Sequence, residues 1–203
     1  IGSVKTNNAK ERYFLYAGRI QPGKGLLPLV KAYTEYVSKS GGPNPIPLYV
    51  AGETTDATYC QNIRQHIAAH GINDHIKFLG PRTDVASLMQ HALAIIIPSE
   101  FEGFGFCMTE AMFNGCLVVG HNTGGTKEQF DNGVELSGKE IGLRYDTEGQ
   151  LTDHLCKIAG SQQQVFQETI ATAADVVSRL YSVEVSVNNV YNYYIEILNN
   201  ENN

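Results

Sequence analysis

Pro98-Ser99-Glu100-Phe101-Glu102-Gly103-Phe104-Gly105-Phe106-Cys107-Met108-Thr109-Glu110-Ala111-Met112 is the stretch on which the reading of this chain turns. It follows an apolar run, Leu93 to Ile97, and leads into a helical pattern, so it reads as strand, glycine loop and helix. Two carboxylates, Glu102 and Glu110, bracket the turn with seven residues between them. A helix N-terminus offers unpaired backbone N–H groups and a positive dipole end to phosphate. Ionised carboxylates only accept hydrogen bonds, which suits sugar hydroxyls. Gly103 and Gly105 allow backbone N–H groups to approach a ligand with no Cβ in the way. The local pattern therefore suits a sugar nucleotide.

Outward from this stretch, strands and helices alternate. Tyr13 to Ala17, Leu48 to Gly52, His75 to Leu79, Leu93 to Ile97, Cys116 to Val119 and Ile141 to Tyr145 read as short buried strands. Leu26 to Val37 has apolar residues at 26, 29, 30, 33 and 37, a helical spacing in which Pro28 is tolerable only in the first turn. Asp56 can cap a helix from Ala57 to His70, with Gly71 as its stop. Thr83 to Ala92 reads as a short helix, Thr109 to Asn114 continues the helix behind the glycine loop, and Gly115 ends it. Further helices are expected over Thr147 to Ala159, Gln164 to Leu180 and Val185 to Leu198, with a fraying Asn-rich tail from Asn199 to Asn203. No regular element is read between Val119 and Ile141.

Strands of this length separated by helices predict an α/β fold, a doubly wound parallel sheet of Rossmann-like type covered on both faces. Ligands on such sheets bind beyond the carboxyl ends of the strands, at the switch point. The glycine-bearing motifs all fall at such ends.

Composition narrows the classes. The chain has 203 residues, a length that suits one domain, 1–203, and its 42% hydrophobic and 18% charged residues are ordinary for a soluble globular fold. No apolar run approaches a membrane span. The net charge of −6 argues against nucleic acid as a partner. Four cysteines without a C-x-x-C pair read as reduced, packed thiols in a cytoplasmic protein. The chain opens on Ile1, which reads as a fragment or processed product.

Four segments in order resemble the donor-binding half of retaining glycosyltransferases with the two-domain GT-B fold, family 4 (group 1). Pro98-Ser99, Glu102-Gly103-Phe104-Gly105 and Glu110-Ala111-Met112 match that family's Pro-Ser-x-x-Glu-Gly-Phe-Gly segment and its Glu-x7-Glu closure. Gly18-Arg19-Ile20-Gln21-Pro22-Gly23-Lys24-Gly25 resembles its phosphate loop, Leu79-Gly80 its base-side loop, and Gly124-Gly125-Thr126-Lys127-Glu128 its Gly-Gly-x-x-Glu. The likeness covers roughly Tyr13 to Leu198.

The resemblance implies a donor-binding domain of an enzyme that transfers a sugar from a nucleotide-diphosphate sugar to an acceptor with retention. It implies Arg19, Lys24 and Glu102 as catalytic residues. Arg19 and Lys24 would neutralise the donor diphosphate, and Glu102 would contact the sugar. Gly18, Gly103, Phe104, Gly105, Phe106 and Glu110 would bind the donor, Glu110 through the ribose hydroxyls. Arg82 would stack on the base or pair with Asp84. No metal and no cofactor are expected, since two fixed cations can replace a metal and no D-x-D motif occurs. An N-terminal acceptor domain is expected as the missing partner, by which the protein could also reach a membrane surface, and the isolated domain is expected to be inactive.

Rival readings are a non-catalytic module of the same fold and a sugar-nucleotide epimerase. Gly18 to Gly25 also spells a near P-loop, but Gly25 stands where Mg²⁺ binding needs Ser or Thr. Gly124-Gly125 reads either as a close backbone approach to a ligand or as a turn. His66 and His70 have metal-ligand spacing, but Ile67 stands in place of a glutamate and no third ligand is evident. His121 ends a strand beside the site with its role open. Cys107 sits in the phosphate-proximal turn with no partner base and reads as a packing residue. The Val185 to Leu198 helix, with Tyr191, Tyr193 and Tyr194, is expected to expose apolar surface.

Overall fold

The computed structural model describes residues 11–42 and 44–201. Its elements, in order, are β1 (Phe14–Ala17), α1 (Leu26–Ser40), β2 (Leu48–Ala51), α2 (Ala57–Ala69), β3 (Ile76–Gly80), α3 (Val85–His91), β4 (Ala94–Ile97), α4 (Phe106–Phe113), β5 (Leu117–His121), α5 (Gly124–Ser137), β6 (Leu143–Tyr145), α6 (Glu148–Gly160), α7 (Gln167–Tyr181) and α8 (Val183–Glu201). All strand pairings are parallel and the sheet order is β3-β2-β1-β4-β5-β6. This is the doubly wound, Rossmann-like arrangement that the strand–helix alternation predicts. The order reverses between β1 and β4, which pair through Phe14 with Ala94 and Leu15 with Ile95.

The central strands read as unbroken apolar runs because both of their faces are covered. Phe14 and Tyr16 of β1, Ala94 and Ile96 of β4, and Leu117 and Val119 of β5 pack into one core with α1, α2 and α6. The alternate residues, Leu15, Ile95, Ile97 and Val118, pack into a second core with α3, α4, α5 and α7. A side-chain period of two thus sends successive residues of one strand into different cores. Caps end the helices where the sequence places them. Asp56 accepts from Tyr59 N at 2.8 Å at the start of α2, and Pro28 sits in the first turn of α1.

Helix α5 was not expected. Its buried positions, Gly125, Thr126, Gln129, Phe130 and Gly133, have helical spacing, but only Phe130 among them is a large apolar residue. Small and polar residues replace the usual apolar stripe because the helix sits very close to its neighbours. A Cβ on Gly133 would lie 2.5 Å from Ile141 Cδ1. The other limits shift by only a few residues: α7, for instance, starts at Gln167 after a 3-10 turn over Gln163–Phe166. The last helix runs into the Asn-rich tail as far as Glu201, and Asn202 and Asn203 lie outside the described residues. As expected, α8 leaves Tyr191, Tyr193, Tyr194 and Leu198 exposed. Among the described residues no helix is long and apolar enough to cross a membrane.

The tight seat of α5 gives a direct test. Gly133→Ala is expected to lower unfolding free energy by about 1–3 kcal/mol, the usual range for overpacking. Trimming its neighbour in the double variant Gly133→Ala/Ile141→Val should recover part of that loss. Urea denaturation of the single and double variants measures both.

Candidate functional site

A cleft of about 490 Å³ opens where the sheet order reverses, between the ends of β1 and β4. Gly18, Arg19 and Lys24 line it from the β1–α1 loop. Ser99, Glu102, Gly103, Phe104, Gly105 and Phe106 line it from the β4–α4 loop. The structure thus gathers eight of the ten residues singled out from sequence into one cleft: Gly18, Arg19, Lys24, Glu102 and 103–106.

Backbone geometry locks the two loops together. Gly25 ends the 3-10 turn Pro22–Lys24 with φ 70°, and a Cβ there would lie 1.9 Å from the carbonyl oxygen of Pro98. Glu100 N donates to Gly23 O at 3.2 Å across the same seam. Lys24 Nζ then reaches Glu102 Oε1 at 2.6 Å, and Ser99 Oγ donates to that oxygen at 2.7 Å. Within the β1–α1 loop, Tyr16 Oη donates to Arg19 O at 2.8 Å, fixing the backbone that carries the exposed Arg19 side chain.

The glycine loop is also held from behind. Gly125 N donates to Glu102 O at 2.8 Å, and Gln129 Nε2 donates to the carbonyls of Phe104 and Gly105. Thr109 Oγ1 in turn donates to Gln129 Oε1 at 3.0 Å. Gly124-Gly125 belongs to this rear support. The pair opens α5 and abuts protein backbone, since a Cβ on Gly125 would lie 2.4 Å from Gly103 O and one on Gly124 would lie 2.7 Å from Glu102 O. Gln129 and Ser99 were not singled out for the site. A lone glutamine in a polar segment carries no motif, and Ser99 was visible only as part of the Pro-Ser pair.

Two expected residues stand apart. Glu110 lies exposed on α4 and does not line the cleft. Arg82 does not line it either: its Nε donates to Asp84 Oδ1 at 2.7 Å. Of the two roles read for Arg82, the structure shows the pairing with Asp84. That bond holds the Asp84 carboxyl below the usual carboxylate range. Arg82 follows β3, which β2 separates from the β1–β4 seam.

Phe104 and Phe106 add aromatic rings to the cleft lining. Phe104 packs edge-on to Tyr181 with centroids 5.2 Å apart and lies 5.0 Å from Phe106, while Phe101 and Phe106 are exposed at 80% and 72%. His121 stacks on Tyr145 and places Nδ1 3.3 Å from Ser99 O, behind the cleft. His66 and His70 pack against each other with tilted rings and centroids 4.1 Å apart, and His66 Nε2 lies 3.2 Å from Thr34 Oγ1. Burial and the neighbouring His70 push the His66 pKa down. Among the described residues no group of three potential metal ligands occurs.

Cys107 occupies the first turn of α4, where a dipole alone would favour a thiolate. Burial wins instead: it pushes the thiol up to about 12, aided by the charges of Glu110 and Glu102. Its Sγ lies 3.6 Å from Ala17 O, where the thiol acts as a weak donor across the β1–β4 seam.

Comparisons with known proteins follow the same lines. The model of a family described as glycosyl transferases group 1 matches residues 3–146. An uncharacterized glycosyltransferase of Bacillus subtilis, YqgM, is 32% identical over 124 residues, covering 60% of this chain and 33% of its own. A D-inositol 3-phosphate glycosyltransferase of Mycobacterium bovis is 29% identical over 173 residues, 81% of this chain and 34% of its own. The chain thus spans about a third of the length of the curated relatives it matches. Anabaena HepE, solved with UDP and glucose, superposes with a TM-score of 0.77 at 22% identity, covering 92% of this chain and 48% of that one. The C-terminal domain of a group 1 glycosyl transferase, LpcC, from Francisella tularensis superposes with a TM-score of 0.70 at 22% identity, covering 86% of this chain and 89% of that domain.

The packing role of Cys107 is open to measurement. At pH 8 a thiol near 12 holds roughly 10⁻⁴ of its population as thiolate, against roughly a quarter for an unperturbed thiol. Iodoacetamide should therefore alkylate Cys107 in the native protein at least about a hundredfold more slowly than a free thiol, read by peptide mass spectrometry. Alkylation at the rate of a free thiol would show that the dipole outweighs burial.

Proposed function

The chain belongs to the glycosyl transferases of group 1, and from that premise we propose that it is the donor-binding half of a retaining, metal-independent sugar transferase. The donor is a nucleotide-diphosphate sugar. The observation that carries this reading is the convergence of Arg19, Lys24, Glu102 and the glycine loop on one cleft at the switch point of the sheet.

The chemistry fits the parts. Leaving-group departure builds negative charge on a nucleoside diphosphate. Fixed cations aimed at that charge stabilise the transition state more than the ground state. Arg19 and Lys24 supply them, each contact being worth about 1.5–3 kcal/mol. The start of α4, with Gly105, Phe106 and Cys107 on the cleft wall, adds backbone N–H groups and its dipole, worth about 0.3–1 kcal/mol. Glu102 faces the cleft where a sugar would sit beyond the phosphates. Glu110, one turn further along α4, would take the ribose, and Arg82 the base side once released from Asp84. No cofactor is required. The acceptor site belongs to a further domain, a reading supported by the half-length match to HepE and by the near-complete match to the LpcC domain.

A half-site predicts weak binding. Two cations and one ribose carboxylate yield about 4–6 kcal/mol net, from about millimolar to tens of micromolar. Calorimetric titration with UDP, GDP and ADP, without metal, should show selective binding of one nucleotide in that range. UDP is the first to try, since HepE is solved with it. Lys24→Ala and Arg19→Ala should each weaken it about tenfold or more. Nanomolar binding would be incompatible with a half-site, and binding that survives both substitutions would remove the phosphate role of this loop.

A further inference from the structure

Glu102 and Lys24 are occupied with each other. Lys24 Nζ lies 2.6 Å from Glu102 Oε1, and the two side chains are 23% and 18% exposed. The same carboxylate oxygen accepts from Ser99 Oγ at 2.7 Å. Ser99 is 4% exposed, and its carbonyl faces His121 Nδ1 at 3.3 Å, so the residue is braced at its backbone while its hydroxyl holds the carboxylate. On the reading that this is a donor site, phosphate needs Lys24 and sugar hydroxyls need Glu102. In this structure each is satisfied by the other.

A diphosphate carries more charge and more acceptor oxygens than one carboxylate, so it competes well for the ammonium. Once Lys24 turns to phosphate, Glu102 loses that donor and retains Ser99. We propose that Glu102 competes with the donor diphosphate for Lys24, and that Ser99 is a positioning residue that keeps the Glu102 carboxylate aimed into the cleft after Lys24 has left it. Recognition is then ordered: the carboxylate is released to the sugar when the phosphate site fills. A free diphosphate and a complete donor would engage the same pair differently, because only the donor rewards the released carboxylate. This proposal rests on the donor-binding reading above.

The test is isothermal titration of the whole chain with pyrophosphate, UDP and UDP-glucose, without metal and at fixed ionic strength. Glu102→Gln keeps the side-chain shape but removes the competing charge. It is expected to bind pyrophosphate and UDP about two- to tenfold more tightly than wild type, the scale of a partly exposed ion pair. Ser99→Ala is expected to change UDP affinity by less than about twofold and to lower the UDP-glucose to UDP affinity ratio by about threefold or more, with Ser99→Thr restoring it.

A Glu102→Gln variant that binds pyrophosphate no more tightly than wild type would mean that Lys24 serves carboxylate and phosphate at once, and the competition is overturned. An unchanged ratio in Ser99→Ala overturns the positioning role, since a merely structural serine would not move that ratio. Far-UV circular dichroism identifies a variant that fails to fold, and the Glu102→Gln comparison decides the competition independently of Ser99. Wild type that binds none of the three probes overturns the proposed function and this proposal together. Wild-type binding with unaltered variants overturns this proposal alone.

Discussion

Close contact between two loops at the β1–β4 seam organises everything that faces the cleft. The left-handed Gly25 lies so near the Pro98 carbonyl that any side chain would collide with it. That approach brings the loop bearing Arg19 and Lys24 against the loop bearing Ser99 and Glu102. It is possible only because β1 and β4 are neighbours, which in turn follows from the reversal of strand order. Parallel strands leave their loops on one edge of the sheet, and the reversal makes two of them diverge around a gap.

The rear support of the glycine loop is as demanding as its front. Gly103 to Gly105 would be a poorly determined segment if its carbonyls faced solvent alone. Instead Gln129 takes the carbonyls of Phe104 and Gly105, and Gly125 N takes that of Glu102. The first turn of α5 therefore braces the loop from behind. Its small residues are the condition for that contact, since a side chain at Gly125 would occupy the space of the loop's own backbone. Burial of Gln129 at 1% exposure is tolerable because both ends of its amide are bonded.

Most of the fold was legible because local signals and global packing agree. Leu93 to Ile97 is apolar without interruption, and a strand covered on both faces requires that. Asp56 is a capping residue followed by a helix, and it caps one. Helix α5 failed to announce itself for a physical reason. Its buried face is built from Gly125, Thr126, Gln129 and Gly133 around one phenylalanine, so hydrophobic periodicity is absent even though helical spacing is present. The site was legible to the extent that glycines and charges mark loops. Arg82 shows the limit: its position after a strand allows both a base-side role and pairing with Asp84, and only the structure shows which of the two it makes.

The sequence by itself determined the alternation of strand and helix, the placement of charged and glycine-rich loops after strands, and the family to which they belong. These follow from short-range properties: side-chain period, caps, turn residues and the order of motifs. Only the tertiary structure decided that Lys24 meets Glu102, that Ser99 holds the same carboxylate, that Glu110 and Arg82 stand outside the cleft, and that Gly124-Gly125 serves a helix contact. Each of these depends on which loops the sheet order brings within a few ångströms of one another. Pairing over that distance is set by backbone packing between segments far apart in the chain, about which local sequence carries no signal.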